Sequence, residues 1–204
     1  MKISYAITVC NELEEVKRLV NFLILTKRRE DEIVILFDDK GTEEVWNYLV
    51  QVEGDIAILH KAQFRNDFSE WKNKFFKLCS GDYIFQIDAD EIPHINLIQN
   101  LPEMLKTNDV DMVRVPRVNT VEGLTQEHIQ KWGWHVNEKG WVNWADWQMR
   151  IYKNAPHIRW KNKVHEVLEG FKIHGMLPVE EEWALYHPKT IDRQVNQNNY
   201  YDTL

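Results

Sequence analysis

The chain has 204 residues, 44% of them hydrophobic and 28% charged, which describes a folded domain with a sizeable core rather than a disordered segment. Its formal charge of -7 argues against a nucleic-acid-binding surface. Two cysteines, Cys10 and Cys79, sit in apolar surroundings and read as small core residues of a reducing compartment. No apolar run is long enough to span a bilayer, and the start has no signal-peptide core, so a cytoplasmic location with at most peripheral membrane contact is expected.

Residues Ile3 to Val9 form an apolar run that predicts a buried first strand, followed by Asn11 and Glu12. Leu13, Val16, Leu19, Val20 and Leu23 recur at helical spacing. Glu32 to Phe37 predicts a second strand, ended by Asp38-Asp39-Lys40-Gly41-Thr42. A short helix over Glu43 to Val52 and a third strand over Asp55 to Leu59 follow. Phe68 to Leu78 predicts one helix, stopped by Ser80-Gly81. Tyr83 to Ile87 is rich in aromatic and aliphatic residues, as a buried strand requires.

The most informative stretch comes next. Asp88 and Asp90 leave the end of that strand two residues apart, and strand alternation would point both to one side. Two carboxylates that close repel unless a cation lies between them. Hard oxygen ligands suit Mg2+ or Mn2+, which commonly share their shell with substrate phosphates. A lone Asp-x-Asp is more often a solvated loop, but here its context adds weight. Strands alternate with helices through the first ninety residues, the pattern of a parallel sheet with helices on both faces. Ligands of such sheets bind beyond the carboxyl ends of the strands. Cys10-Asn11-Glu12, Asp38-Asp39 and Asp88-Ala89-Asp90 all fall at such ends. A diphosphate held there needs a site more basic than the chain as a whole.

The second half is less regular. Asp111 to Val118 predicts a strand, and a glycine-spaced polar stretch follows. Trp132, Trp134, Trp141, Trp144, Trp147 and Trp160 crowd this region. Most would be core; some could offer a flat face to a sugar ring, with Trp132 and Trp134 expected to be the most exposed. Leu185-Tyr186 leads apolar into His187, and the polar run Asp192 to Leu204 is compatible with a helix. With no linker or repeat, the halves read as one domain.

These clusters, in this order, resemble the family 2 glycosyltransferases with a GT-A fold. The matching residues are Thr8-Val9-Cys10-Asn11-Glu12, Asp38-Asp39-Lys40-Gly41-Thr42-Glu43, Lys72-Asn73 before Gly81-Asp82-Tyr83, and Asp88-Ala89-Asp90. Arg150-Ile151-Tyr152-Lys153 and Lys163-Val164-His165-Glu166 look like a Val-His-Glu branch of that family. The resemblance implies an α/β fold with a mostly parallel central sheet flanked by helices. It implies a single domain over 1–204, residues 1–91 holding a nucleotide sugar and 92–204 the acceptor. It places Thr8, Asn11, Glu12 and Asp39 on the base and ribose, Lys72, Asn73 and His165 near the donor, and Asp88 on the ribose or a metal-bound water. Asp90, with Asp88 and His187, would hold Mn2+ or Mg2+. The implied reaction moves a sugar from a nucleotide diphosphate, expected to be a UDP-sugar, to a glycan, lipid-linked or protein acceptor, with inversion. A carboxylate must then take the acceptor proton. Asp146 is the first candidate and Glu166 the second, with an Asp146–Arg150 pair as the structural alternative. A sugar-nucleotidyltransferase is the competing enzyme class, but Val9-Cys10-Asn11-Glu12 lacks its glycine-rich loop. A carbohydrate-binding module would have no use for Asp88 and Asp90.

Overall fold

The computed structural model describes residues 1–201. The first half alternates as its pattern predicts: β1 (Ile3–Val9), α1 (Leu13–Thr26), β2 (Glu32–Asp38), α2 (Glu43–Gln51), β3 (Ile58–Ala62), α3 (Phe68–Asn73), α4 (Phe75–Leu78) and β4 (Tyr83–Asp88). β3 starts later than expected because residues 53–55 form a single 3-10 turn, with Asp55 N donating to Val52 O at 3.0 Å. The single helix expected over Phe68 to Leu78 is two, divided at Lys74, where the ladder tightens to a three-residue step from Lys74 N to Trp71 O.

Beyond β4 come β5 (Ile92–Pro93) and α5 (Ile95–Asn108). Pro102 lies inside α5, against helix propensity, but Leu97, Ile98, Leu101 and Leu105 are all buried on one face and carry the helix. The strand expected over Asp111 to Val118 is also two, β6 (Met112–Val115) and β7 (Arg117–Glu122). Pro116 between them has no N–H to give a ladder, and the chain changes sheet there. The remainder is α6 (Gln126–Trp132), β8 (Gln148–Lys153), β9 (Arg159–Lys161), β10 (Val167–Glu169), β11 (His174–Met176), β12 (Leu185–Thr190) and α7 (Ile191–Tyr201). The polar C-terminal run is thus helical as far as it is described; residues 202–204 of that expectation lie outside the described residues.

The main sheet has the order β11-β6-β8-β4-β1-β2-β3. All its pairings are parallel except those of β8, which runs against both β4 and β6. The mixed α/β architecture with a mostly parallel sheet is the expected one, and strands from both halves of the chain share that sheet. A second sheet, β5-β12-β7, lies beyond the carboxyl end of β4, and β9 and β10 form a separate hairpin. The core fills both faces: Ile7, Ile35, Phe37 and Phe85 pack with α1, α2 and α5, while Val34, Leu36, Trp71, Phe75 and Tyr152 pack with α3, α4 and the hairpin. Among the described residues no helix is long and apolar enough to cross a membrane.

Candidate active site

The turns after β1 and β2 are locked to each other. Gly41 N donates to Asp38 O at 2.9 Å, and a Cβ on Gly41 would collide with the Cys10 carbonyl and the Phe37 ring. Asn11 Oδ1 accepts Thr42 N at 3.1 Å, and Glu12 Oε2 accepts the Cys10 and Asn11 amides at 2.8 and 2.9 Å. Cys10 is therefore not a core residue: it is half-buried in this turn, 3.9 Å from Asp38 Oδ2, and burial together with that carboxylate pushes its thiol up to about 11. Cys79 is buried, as expected. Asp39 stands exposed at the rim, its amide on Ala62 O at 2.8 Å.

β4 delivers Asp88 beside Thr8, whose Oγ1 donates to Asp88 Oδ1 at 3.4 Å. Alternation does not continue to Asp90 as the sequence predicts. The chain turns, with Glu91 N on Asp88 O at 2.9 Å, and the two carboxylates go to different partners. Asp88 Oδ2 takes Arg150 Nη2 at 2.5 Å, whereas Asp90 Oδ2 lies 3.2 Å from His187 Nε2 and 3.1 Å from Arg193 Nη2. Burial alone would raise both carboxyls. Arg150, with Lys72 and Arg117, holds Asp88 well below the usual range, and His187 with Arg193 lowers Asp90.

A chain of charges continues from Asp88 into the second sheet. Glu91 is fully buried and accepts from Arg150 Nη2 at 2.6 Å, Arg117 Nη1 at 3.0 Å and the Asp88 amide at 3.1 Å. Arg117 reaches on to Asp146 Oδ2 through Nη2 at 2.6 Å and Nε at 2.9 Å. Asp146 pairs with Arg117 and not with Arg150. Asn119 Nδ2 adds a third donor to the same Oδ2 at 2.8 Å, while among the described residues Oδ1 receives only Gln148 Nε2 at 2.8 Å. Burial opposes the ionised form of Asp146, but Arg117 and these amides outweigh it and its carboxyl is lowered. Asn119 Oδ1 also holds His187 Nδ1 at 2.8 Å, fixing the ring that faces Asp90.

Lys72 is buried, clasped to Glu166, with its Nζ 4.7 Å from the Trp160 ring centroid. Asn73 uses both ends of its amide on Trp160, accepting from N and donating to O at 2.9 Å each, so it clamps the hairpin to α3. His165 is exposed with a positive φ of 52° at the entrance to β10. Trp132 and Trp134 are half-buried against each other, centroids 4.6 Å apart, rather than exposed.

Glu91, Arg117, Asn119, Lys189 and Arg193 are members of this centre that motif reading passes over. Arg193, from α7, spans Asp90, Glu15 Oε1 at 2.8 Å and Glu12 Oε1 at 3.8 Å. Burial, with Arg117 and Arg193 nearby, pushes the Lys189 ammonium down to about 8 against the pull of Asp90. The region is locally rich in cations, as a diphosphate site requires, though most of them are paired.

A mostly parallel sheet with acidic clusters at the ends of β1, β2 and β4, joined to a small second sheet, defines the class: a GT-A α/β domain. A glycosyl transferase family 2 profile matches residues 4–173, and the chain belongs to that family. It is similar to glycosyltransferase GlyG of Streptococcus pneumoniae serotype 4, with 26% identity over 93 residues, 44% of this chain and 31% of that protein. Among solved structures it is similar to S. aureus TarS 1–349, with a TM-score of 0.62 and 14% identity over 92% of this chain and 60% of that one. The same fragment in complex with UDP-GlcNAc gives 0.63 and 14% over 93% and 59%. The chain thus spans less than two thirds of these relatives.

Proposed function

We propose that this chain is the catalytic domain of an inverting glycosyltransferase that uses a nucleotide sugar, with UDP as the carrier, and a divalent ion. The observation that carries the reading is the convergence of Thr8, Asp39, Asp88 and Asp90 at the carboxyl end of one sheet, with Lys72, Arg150 and Arg193 around them. UDP-GlcNAc binding by TarS, which shares the fold, accords with a uridine carrier.

In this reading Asp39 and the Asn11 turn meet the base and ribose. Asp90 Oδ2 and His187 Nε2, 3.2 Å apart, offer a hard oxygen and an imidazole to Mg2+ or Mn2+, with Asp88 next to them. Among the described residues no group of three or more His, Cys, Asp or Glu side chains is gathered tightly enough to enclose an ion. Such a donor set fits an ion that completes its shell with diphosphate oxygens and water. A bound ion would supply positive charge against the departing diphosphate. The chain's own part is to place Lys72 and Arg193 beside that charge and to accept the acceptor's proton. Asp146 suits the second task. Three donors pin its Oδ2, which orients the carboxylate, and Oδ1 keeps a lone pair for the hydroxyl. The acceptor oxygen then attacks the anomeric carbon as the bond to the diphosphate breaks, and the proton passes to Asp146. Glu166, held on Lys72, is less available.

Calorimetry with UDP and the other nucleoside diphosphates, with Mn2+ or with chelator, tests this. UDP should bind tightest, and only with the ion. Equal binding in chelator removes the ion, and binding of no nucleotide removes the reading.

A further inference from the structure

A cleft of about 790 Å3 lies between residues 135–144 and 179–182, away from the ends of β1, β2 and β4. Trp141 and Trp144 form its aromatic wall, ring centroids 4.8 Å apart and inclined at 61°. Its size falls within that of sites for small ligands. The wall is rigidly built. Asn137 Oδ1 accepts the amides of Lys139 at 3.0 Å and Trp141 at 2.9 Å, and Asn137 N returns to Trp141 O at 3.1 Å. Gly140 supplies the positive φ of 77° that this tight turn needs.

Both walls connect directly to the charged centre. Val142, between the two tryptophans in sequence, donates its amide to Asn119 O at 2.9 Å, and the Asn119 side chain touches Asp146 and His187. On the other wall Glu181 Oε1 accepts Tyr186 OH at 2.9 Å, next in sequence to His187. The cleft is thus tied through Asn119 and Tyr186 to the elements that carry Asp146 and His187, and its Trp144 lies two residues before Asp146 in the chain.

The charge pattern limits what that molecule can be. Lys139 Nζ lies 4.4 Å from the Trp141 ring centroid and 3.0 Å from Glu181 Oε2, which neutralises one acid. Glu138, Glu180 and Glu182 remain exposed around the cleft. Indole faces stack on the C–H faces of sugar rings and free carboxylates accept hydroxyl or ammonium protons, whereas phosphates and uronates are repelled.

We propose that this cleft is an acceptor subsite for a neutral or amine-bearing saccharide and turns away polyanionic glycans. The proposal rests on the glycosyltransferase reading and adds the acceptor's chemical class to it.

Calorimetry of the chain without donor tests it, using oligomers of N-acetylglucosamine, their de-N-acetylated forms, oligomers of glucose and oligomers of a uronic acid. UDP with Mn2+ is titrated into the same samples. At least one neutral or amine-bearing oligomer should bind, and the uronate should not. Trp141→Ala should weaken that binding roughly tenfold, about the worth of a lost aromatic contact, with UDP affinity unchanged. Glu138→Lys with Glu180→Lys, both at exposed positions, should admit the uronate. Preference of the unaltered chain for the uronate, indifference to Trp141→Ala, or no binding up to about 10 mM overturns the proposal. If UDP binds and no oligomer does, only the acceptor assignment falls; if UDP also fails, the glycosyltransferase reading falls with it.

Discussion

The two ends of the main sheet both bury carboxylates, yet they do so in different ways. At the amino end Glu32 receives Lys2 Nζ at 2.6 Å, Ser4 Oγ at 2.6 Å, and Ser80 N and Oγ at 2.7 and 2.8 Å. Gly81 lies so close to Ser4 that a Cβ would come within 2.7 Å of its backbone N. Of the Glu32 partners only Lys2 is a cation, and the neighbouring buried Asp31 is closed by local contacts, from Arg28 Nε and Nη2 at 2.8 and 2.7 Å and from Ile3 N at 2.8 Å. At the carboxyl end Asp88, Asp90, Glu91 and Asp146 are held mainly by Arg150, Arg117, Arg193 and His187, from separate elements. Hydrogen bonds to neutral groups seal an end of a sheet; charges shared among several partners can be redistributed when a ligand carries its own charge. The first arrangement favours stability and the second suits the proposed site.

Five substitutions probe this contrast. The largest effect is expected from Asp146→Asn, which keeps shape and loses the base: transfer to acceptor should fall by about 10²–10⁴ while donor affinity holds. Parallel kinetics of Glu166→Gln rank the two candidates, and an active Asp146→Asn with a dead Glu166→Gln would transfer the role. Asp90→Ala should lower turnover by on the order of 10² or more. Its melting temperature should fall modestly, since His187 and Arg193 lower the Asp90 carboxyl and the ionised group therefore stabilises the fold; a lower melting temperature with unchanged turnover would make Asp90 a structural residue. Asp39→Ala should weaken UDP by about 1.5–3 kcal/mol if a charge-assisted hydrogen bond to the nucleotide is lost, as titration would show. An unchanged affinity would leave Asp39 as a turn residue.

The last effect is expected at the sealed end, where it leaves the site untouched and appears in stability and its pH dependence. Burial opposes ionised Glu32, but Lys2, Ser4 and Ser80 prevail and lower its carboxyl from 4.5 to about 2. A depressed folded value means that its contribution is complete above 4.5 and is lost as pH falls towards 2. Urea unfolding across that window should show a loss on the order of 2–3 kcal/mol that Glu32→Gln flattens. An unaltered slope in Glu32→Gln would remove Glu32 as its source.

The sequence makes the first half of this picture legible because periodicity and turn chemistry there are local. β1, β2 and β4 appear as apolar runs, and the acidic clusters sit where those runs stop. The sheet switch has a local signal too, in Pro116. What stays hidden is partnership. Nothing near Asp146 in sequence announces Arg117, since the pair is made by bringing β7 against the segment before β8. Glu91 looks like one more acid in an exposed turn, but two arginines draw it fully inside. Asn73 looks like a donor contact beside Lys72, yet its amide meets a backbone 87 residues away. The division of α3 from α4 is likewise invisible to helical spacing, which Phe68 to Leu78 satisfies throughout.

The Arg193–Glu15 contact joins residues 178 positions apart. During synthesis, β1 to β4 can pair as soon as they emerge, because their partners are close in the chain. Asp90 and Glu12 must wait for α7, and closing so long a loop repays its entropy only after the sheet has brought the ends together. Glu12 and Asp90 therefore remain without Arg193 until α7 has been made and docked.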